Sequence, residues 1–300
     1  MVMASMPPPE TQPGLPEPGP RPPAHLPEGT ARGADLPPWP AWTAAGAIAA
    51  GFGLGIVVTI FVGVGAKASG SSLTHPTAAV SLVGDFLFDG AFVVAALYFA
   101  QLHGRIRAAD FGFRAVRWST AVGGVIAAGV GYYVVTAIYA SLLNLHGNEK
   151  LPIPVNNSRG ALIGTTVFVC VVAPIAEEFF FRGFIFGALR QMRVEIAGRQ
   201  VGVWVAAIIT GILFGLAHTG SASSRYLIPL GFLGFVLCLL RWRTASLYPC
   251  MALHSINNSL AMGVSQLHWA PGEILALVAG SLLVIAAVTW PLGARAPALA

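Results

Sequence analysis

Residues 171–183 read Val171-Val172-Ala173-Pro174-Ile175-Ala176-Glu177-Glu178-Phe179-Phe180-Phe181-Arg182-Gly183. Two adjacent carboxylates and an arginine sit inside a run that is otherwise apolar. An ionisable side chain near the middle of a bilayer costs roughly 2.5–3.5 kcal/mol on insertion scales. Three of them within six positions are tolerated where they face protein or water rather than lipid. The run therefore reads as a membrane helix carrying a polar site.

The rest of the chain fits that setting. Of 300 residues, 55% are hydrophobic and only 10% charged, against about 25% charged in a soluble domain. Mean hydropathy is +0.72, and apolar runs of about 20 residues recur, the length a membrane helix needs. These runs lack the period-2 alternation of a membrane β-barrel. The fold class expected is all-α, a polytopic transmembrane bundle of about eight spans. They are Trp42–Gly65, Pro76–Leu102, Thr120–Leu145, Ala161–Gln191, Val201–Thr219, Tyr226–Leu240, Ser246–Leu267 and Glu273–Leu292. No repeat of 20 to 50 residues is visible.

Residues 1–40 hold 13 of the 22 prolines and almost no bulky aliphatics, so they read as a disordered tail. With no basic segment leading into an apolar one, the tail is expected to be retained. The expected organisation is this tail, N-terminal membrane helices over 41–160, a core over 161–267 that holds the polar site, and a last helix with a short tail over 268–300. Net charge is +5, but the cations lie in loops between apolar runs, where they set orientation and give no sign of nucleic acid. Arg21, Arg32, Arg105, Arg107, Arg114, Arg117, Arg190, Arg193, Arg199, Arg241, Arg243 and Arg295 fall on one side. Lys67, Lys150, Arg159 and Arg225 fall on the other. That bias puts both termini in the cytoplasm of a cell membrane, and arginine-rich usage hints at a bacterial source.

Loop 103–118 mixes four arginines with Ile106, Phe111, Phe113 and Trp118 and reads as a short amphipathic helix on the membrane surface. Cys170, Cys238 and Cys250 form no CxxC pair, so they read as buried apolar residues rather than a disulfide framework or metal cluster.

Three polar constellations lie inside spans. Glu178 and Arg182 are four apart and share a helix face, so they can pair; Glu177, about 100° round the axis, is left free to act as a base. His218 follows Phe214-Gly215-Leu216-Ala217 near the end of the fifth span. His254 and Asn258, four apart in the seventh, project from one face. Together these supply a base, a water-orienting group and hydrogen-bond donors, the parts peptide hydrolysis needs. Each also has a structural reading, as a buried ion pair or as interhelical hydrogen bonds. HExxH is absent, yet Glu177, His218 and His254 form a His₂Glu set that can bind zinc, so a zinc site and a metal-free site both stay open. Asp85 and Asp89, four apart in the second span, are left unassigned.

In these residues the chain resembles the CPBP family of CAAX-protease and bacteriocin-processing intramembrane endopeptidases. The family's EExxxR, FxxxH and Hxxx(N/D) motifs appear as Glu177-Glu178-x-x-x-Arg182, Phe214-x-x-x-His218 and His254-x-x-x-Asn258, in order, over roughly Ala161 to Gln266. The resemblance implies an eight-helix bundle with a conical cavity open to membrane and cytoplasm. It implies Glu177 as general base, His218 orienting the water, His254 and Asn258 holding the oxyanion, and Glu178 and Arg182 bracing the site. The expected partners are the lipid bilayer and a protein or peptide substrate. A non-catalytic immunity or scaffold protein on the same fold is the alternative, and an ion-coupled transporter using Asp85, Asp89 and Glu177 a third. One tension concerns depth: counted from Arg199, His218 lies about 28 Å along its helix, against about 20 Å for Glu177 counted from Arg190.

Overall fold

The computed structural model describes residues 36–68, 71, 76–145 and 159–293. Most of the proline-rich tail, together with Arg21, Arg32, Lys150 and Arg295, lies outside them.

Eight long helical rods account for nearly all of the described chain: α1 (Trp42–Ala68), α2 (Ala78–Gln101), α4 (Trp118–Leu142), α5 (Arg159–Leu189), α6 (Gly202–Ala217), α7 (Ser224–Thr244), α8 (Tyr248–Ala261, continuing as Met262–Leu267) and α9 (Pro271–Thr289). A four-residue helix, α3 (Ala108–Phe111), interrupts the second loop. Among the described residues the only sheet is a two-residue hairpin, β1 (Glu195–Ile196) against β2 (Arg199–Gln200), antiparallel. Six helices are long and apolar enough to cross a membrane, and α6 is a shorter apolar helix. With α8 they match the eight expected spans: this is a multi-pass, all-helical membrane protein.

Packing follows from residue size. Gly46, Gly51 and Gly55 of α1 lie against α2, and a Cβ at any of them would meet Phe99, Phe92 or Phe88 at 2.5–2.6 Å. The rings fill the space left by the glycines, so the two helices approach closely, as small residues permit in membranes. Phe92 then reaches α5, its ring centroid 4.6 Å from that of Phe180. The lipid-facing sides carry exposed apolar residues such as Ile60, Phe61, Ile138 and Leu283. In water such a belt would be a liability; in a bilayer it is the expected outer surface.

Loop 103–118 departs from the surface helix expected of it. Before α4 begins at Trp118 only α3 is helical, and Phe111 and Phe113 are buried. Phe111 stacks on Phe179 of α5 with centroids 4.4 Å apart, and packs on Trp39 at 4.7 Å. Gly112 turns the chain with φ 105°, and its carbonyl accepts from the Leu247 N–H. A side chain at 112 would collide with the Arg241 guanidinium. Phe111 and Phe113 thus plug the base of the bundle instead of resting on lipid, while Trp118 stays exposed. Arg241, counted above among loop cations, is itself buried. All three cysteines are free and buried, as expected.

Candidate active site

The fourth span is not a uniform α-helix. Pro174 has no N–H and cannot donate to the Cys170 carbonyl four residues back. The chain answers by widening: Phe168–Val172 is π-helical, and the Ala173 N–H bonds the Phe168 carbonyl five residues back. The carbonyls of Val169 and Cys170 are thereby released from the α ladder. Both turn to α8: Ser255 Oγ donates to the Cys170 oxygen at 2.6 Å, and Asn258 Nδ2 to the Val169 oxygen at 2.9 Å. A second π segment, Glu178–Ile185, follows after five α-helical residues, Ala173–Glu177. Single π turns recur at functional sites because they re-aim side chains; here two of them flank Glu177.

Glu178 and Arg182 are completely buried and paired, Arg182 Nη1 to Glu178 Oε1 at 2.9 Å. The guanidinium also donates to the Gly234 carbonyl of α7 at 3.1 Å and lies over the Phe214 ring, 4.3 Å from its centroid. Glu178 Oε1 accepts a second bond, 2.8 Å, from His254 Nδ1. A carboxylate can only accept, so His254 carries its proton on Nδ1 and turns Nε2 outward. His218 is held the same way: Nδ1 donates to the Phe214 carbonyl at 2.8 Å. Its Nε2 is likewise outward.

Both outward nitrogens face Glu177. His254 Nε2 lies 3.8 Å and His218 Nε2 3.9 Å from Glu177 Oε2. That oxygen is buried without a hydrogen-bond partner, while the Glu177 side chain as a whole keeps 15% of its surface exposed and His218 22%. The structure thus brings Glu177, Glu178, Arg182, His218 and His254 together. Asn258 sits one turn beyond His254 on the same face of α8, tied to Val169 rather than to the other five.

The depth tension dissolves in local structure. Arg199 belongs to the hairpin, and α6 starts only at Gly202. Its 16 residues span about 24 Å, less than a bilayer core of about 30 Å, so its C-terminal end delivers His218 into the interior. Asp89 of α2, left unassigned above, has an Oδ2 buried without a partner and lies close enough to Glu177 for their charges to interact. The sequence reading joins it to Glu177 only in the transporter alternative.

The three outward groups have zinc-like donor chemistry. A tetrahedral site with bonds of 2.0–2.1 Å has edges of about 3.3 Å, shorter than both separations measured here. Among the described residues, no group of three His, Cys, Asp or Glu is arranged to hold a metal.

Comparison with known proteins agrees with this core. Residues 159–260 match the model of the Rce1-like family, described as type II CAAX prenyl endopeptidase Rce1-like. The UPF0177 protein YxdF of Lactococcus lactis subsp. lactis (strain IL1403) is 30% identical over 88 residues, which cover 29% of this chain and 42% of that relative. The chain thus spans less than half the length of the curated relative it matches. No solved structure matches. The stretch found by the family model holds all three motifs, and the resemblance to the CAAX-protease family stands over it.

Proposed function

We propose that this chain, Rce1-like over residues 159–260, is an intramembrane endopeptidase that hydrolyses a peptide bond in a membrane-associated protein or peptide. The supporting observation is the meeting of Glu177 Oε2 with two outward imidazole nitrogens from separate helices, at 3.8 and 3.9 Å. A water held between Glu177 and His218 attacks the peptide carbonyl carbon. As the new C–O bond forms, Glu177 takes the water's proton and the carbonyl pair moves onto oxygen. Asn258 and His254 receive that oxyanion. His254 can donate to it from Nε2 when both ring nitrogens carry protons. On collapse the C–N bond breaks and Glu177 passes its proton to the leaving nitrogen. No step calls for a metal.

The test uses purified protein in lipid nanodiscs and a set of internally quenched peptides, one ending in a prenylated Cys-aliphatic-aliphatic-X sequence. Wild type should cleave at least one of them, and Glu177→Ala none, with its thermal transition unchanged. Cleavage should also survive treatment with a strong chelator. A Glu177→Ala protein that cleaves at the wild-type rate overturns the assignment.

A further inference from the structure

The Asn258 carboxamide can serve an oxyanion only if its nitrogen, not its oxygen, faces the reacting carbonyl. The Val169 carbonyl, which can only accept, sets which way it faces, and a chain of hydrogen bonds running out to α4 reinforces that setting. Asn258 Nδ2 donates to the Val169 carbonyl at 2.9 Å, an acceptor made available by the π turn before Pro174. An amide nitrogen carries two hydrogens, so one remains for a substrate. Asn258 Oδ1 accepts from Asn257 Nδ2 at 3.3 Å. Asn257 Oδ1 in turn accepts from the Tyr133 hydroxyl of α4 at 3.2 Å.

Each outer link reinforces the one inside it. With Tyr133 donating, Asn257 keeps its oxygen toward α4 and its NH₂ toward Asn258. With that NH₂ in place, Asn258 keeps its oxygen toward Asn257 and its nitrogen toward Val169. Remove the phenol, and Asn257 loses what holds its oxygen outward. A flipped Asn257 sets oxygen against oxygen at Asn258 and works against the donor orientation. We infer that Tyr133 and Asn257 are positioning residues that hold the Asn258 carboxamide with its second N–H free for the substrate oxygen. Neither belongs to the three sequence motifs, and Tyr133 is 40% exposed on α4, far in sequence from the core. The inference rests on the peptidase reading above.

The experiment measures kcat and KM for cleavage of a quenched peptide in nanodiscs. Tyr133→Phe keeps the ring against Tyr132, whose centroid is 5.0 Å away, and removes only the donor. It should lower kcat about three- to tenfold, the effect of one lost hydrogen bond, and leave KM unchanged. Asn257→Leu should do at least as much, and the double variant no more than Asn257→Leu alone. In an Asn258→Ala background, Tyr133→Phe should have no further effect. A Tyr133→Phe loss of the same size with and without the Asn258 amide overturns the positioning role, as does a change in KM alone or a kcat equal to wild type. If wild type and Glu177→Ala are indistinguishable, the peptidase reading fails first and this inference falls with it.

Discussion

Glu177 and Glu178 are adjacent and chemically identical, yet their surroundings differ. Glu178 is sealed between Arg182 and His254, while the Glu177 side chain keeps 15% of its surface exposed and faces two imidazole nitrogens. Removing either should therefore have different consequences. Glu178→Ala leaves the Arg182 guanidinium buried without its carboxylate, which costs about 3–5 kcal/mol, so the thermal transition should fall together with cleavage. Glu177→Ala should spare the transition and lose cleavage alone. Equal thermal shifts for the two variants would contradict this division. The division was legible in the sequence because i and i+4 share a helix face and i−1 does not. The partners from other helices were legible only as three motifs in order; no spacing rule says that His254 bonds Glu178 through Nδ1. Nor could it point to Tyr133, since an exposed tyrosine on an apolar helix carries no mark of its partner.

At the scale of elements, Pro174 links sequence to site more directly than any ionisable residue. By withholding one N–H it shifts the ladder to five-residue bonds and frees two carbonyls that dock α8. Pro174→Ala restores the donor, which competes with Ser255 for the Cys170 oxygen and draws the helix back toward α geometry. Cleavage should fall by up to about 100-fold, the penalty reported for a misplacement of about 1 Å, without a matching loss of thermal stability. A variant with full activity would detach the π turn from function. Helix existence was readable from apolar length, but the π turns were not. A backbone carbonyl has no residue identity, and proline alone does not say whether a helix kinks, ends or widens. Loop 103–118 failed for a related reason. Arginines interleaved with aromatics suit a helix lying on lipid and a plug entering the bundle equally well, and Trp39, Phe179 and Phe184, distant in sequence, decide for the plug.

For the whole molecule the open physical variable is which end of the bundle faces the cytoplasm, because it decides the side from which a substrate reaches Glu177. The positive-inside bias remains strong after Arg241 is withdrawn from the count as a buried residue, since eleven of the assigned cations still oppose four. It predicts that the hairpin of Arg199 lies on the cytoplasmic side and the end of α1 at Lys67 on the other. The three native cysteines are 0% exposed, so engineered thiols can be read against a quiet background. Lys67→Cys should react with a membrane-impermeant maleimide in intact cells, and Arg199→Cys only after permeabilisation. Both side chains are exposed, and neither touches the candidate site. The reverse pattern would invert the bundle, and any substrate delivered from the cytoplasm would then have to approach from the end where α6 stops short and His218 emerges.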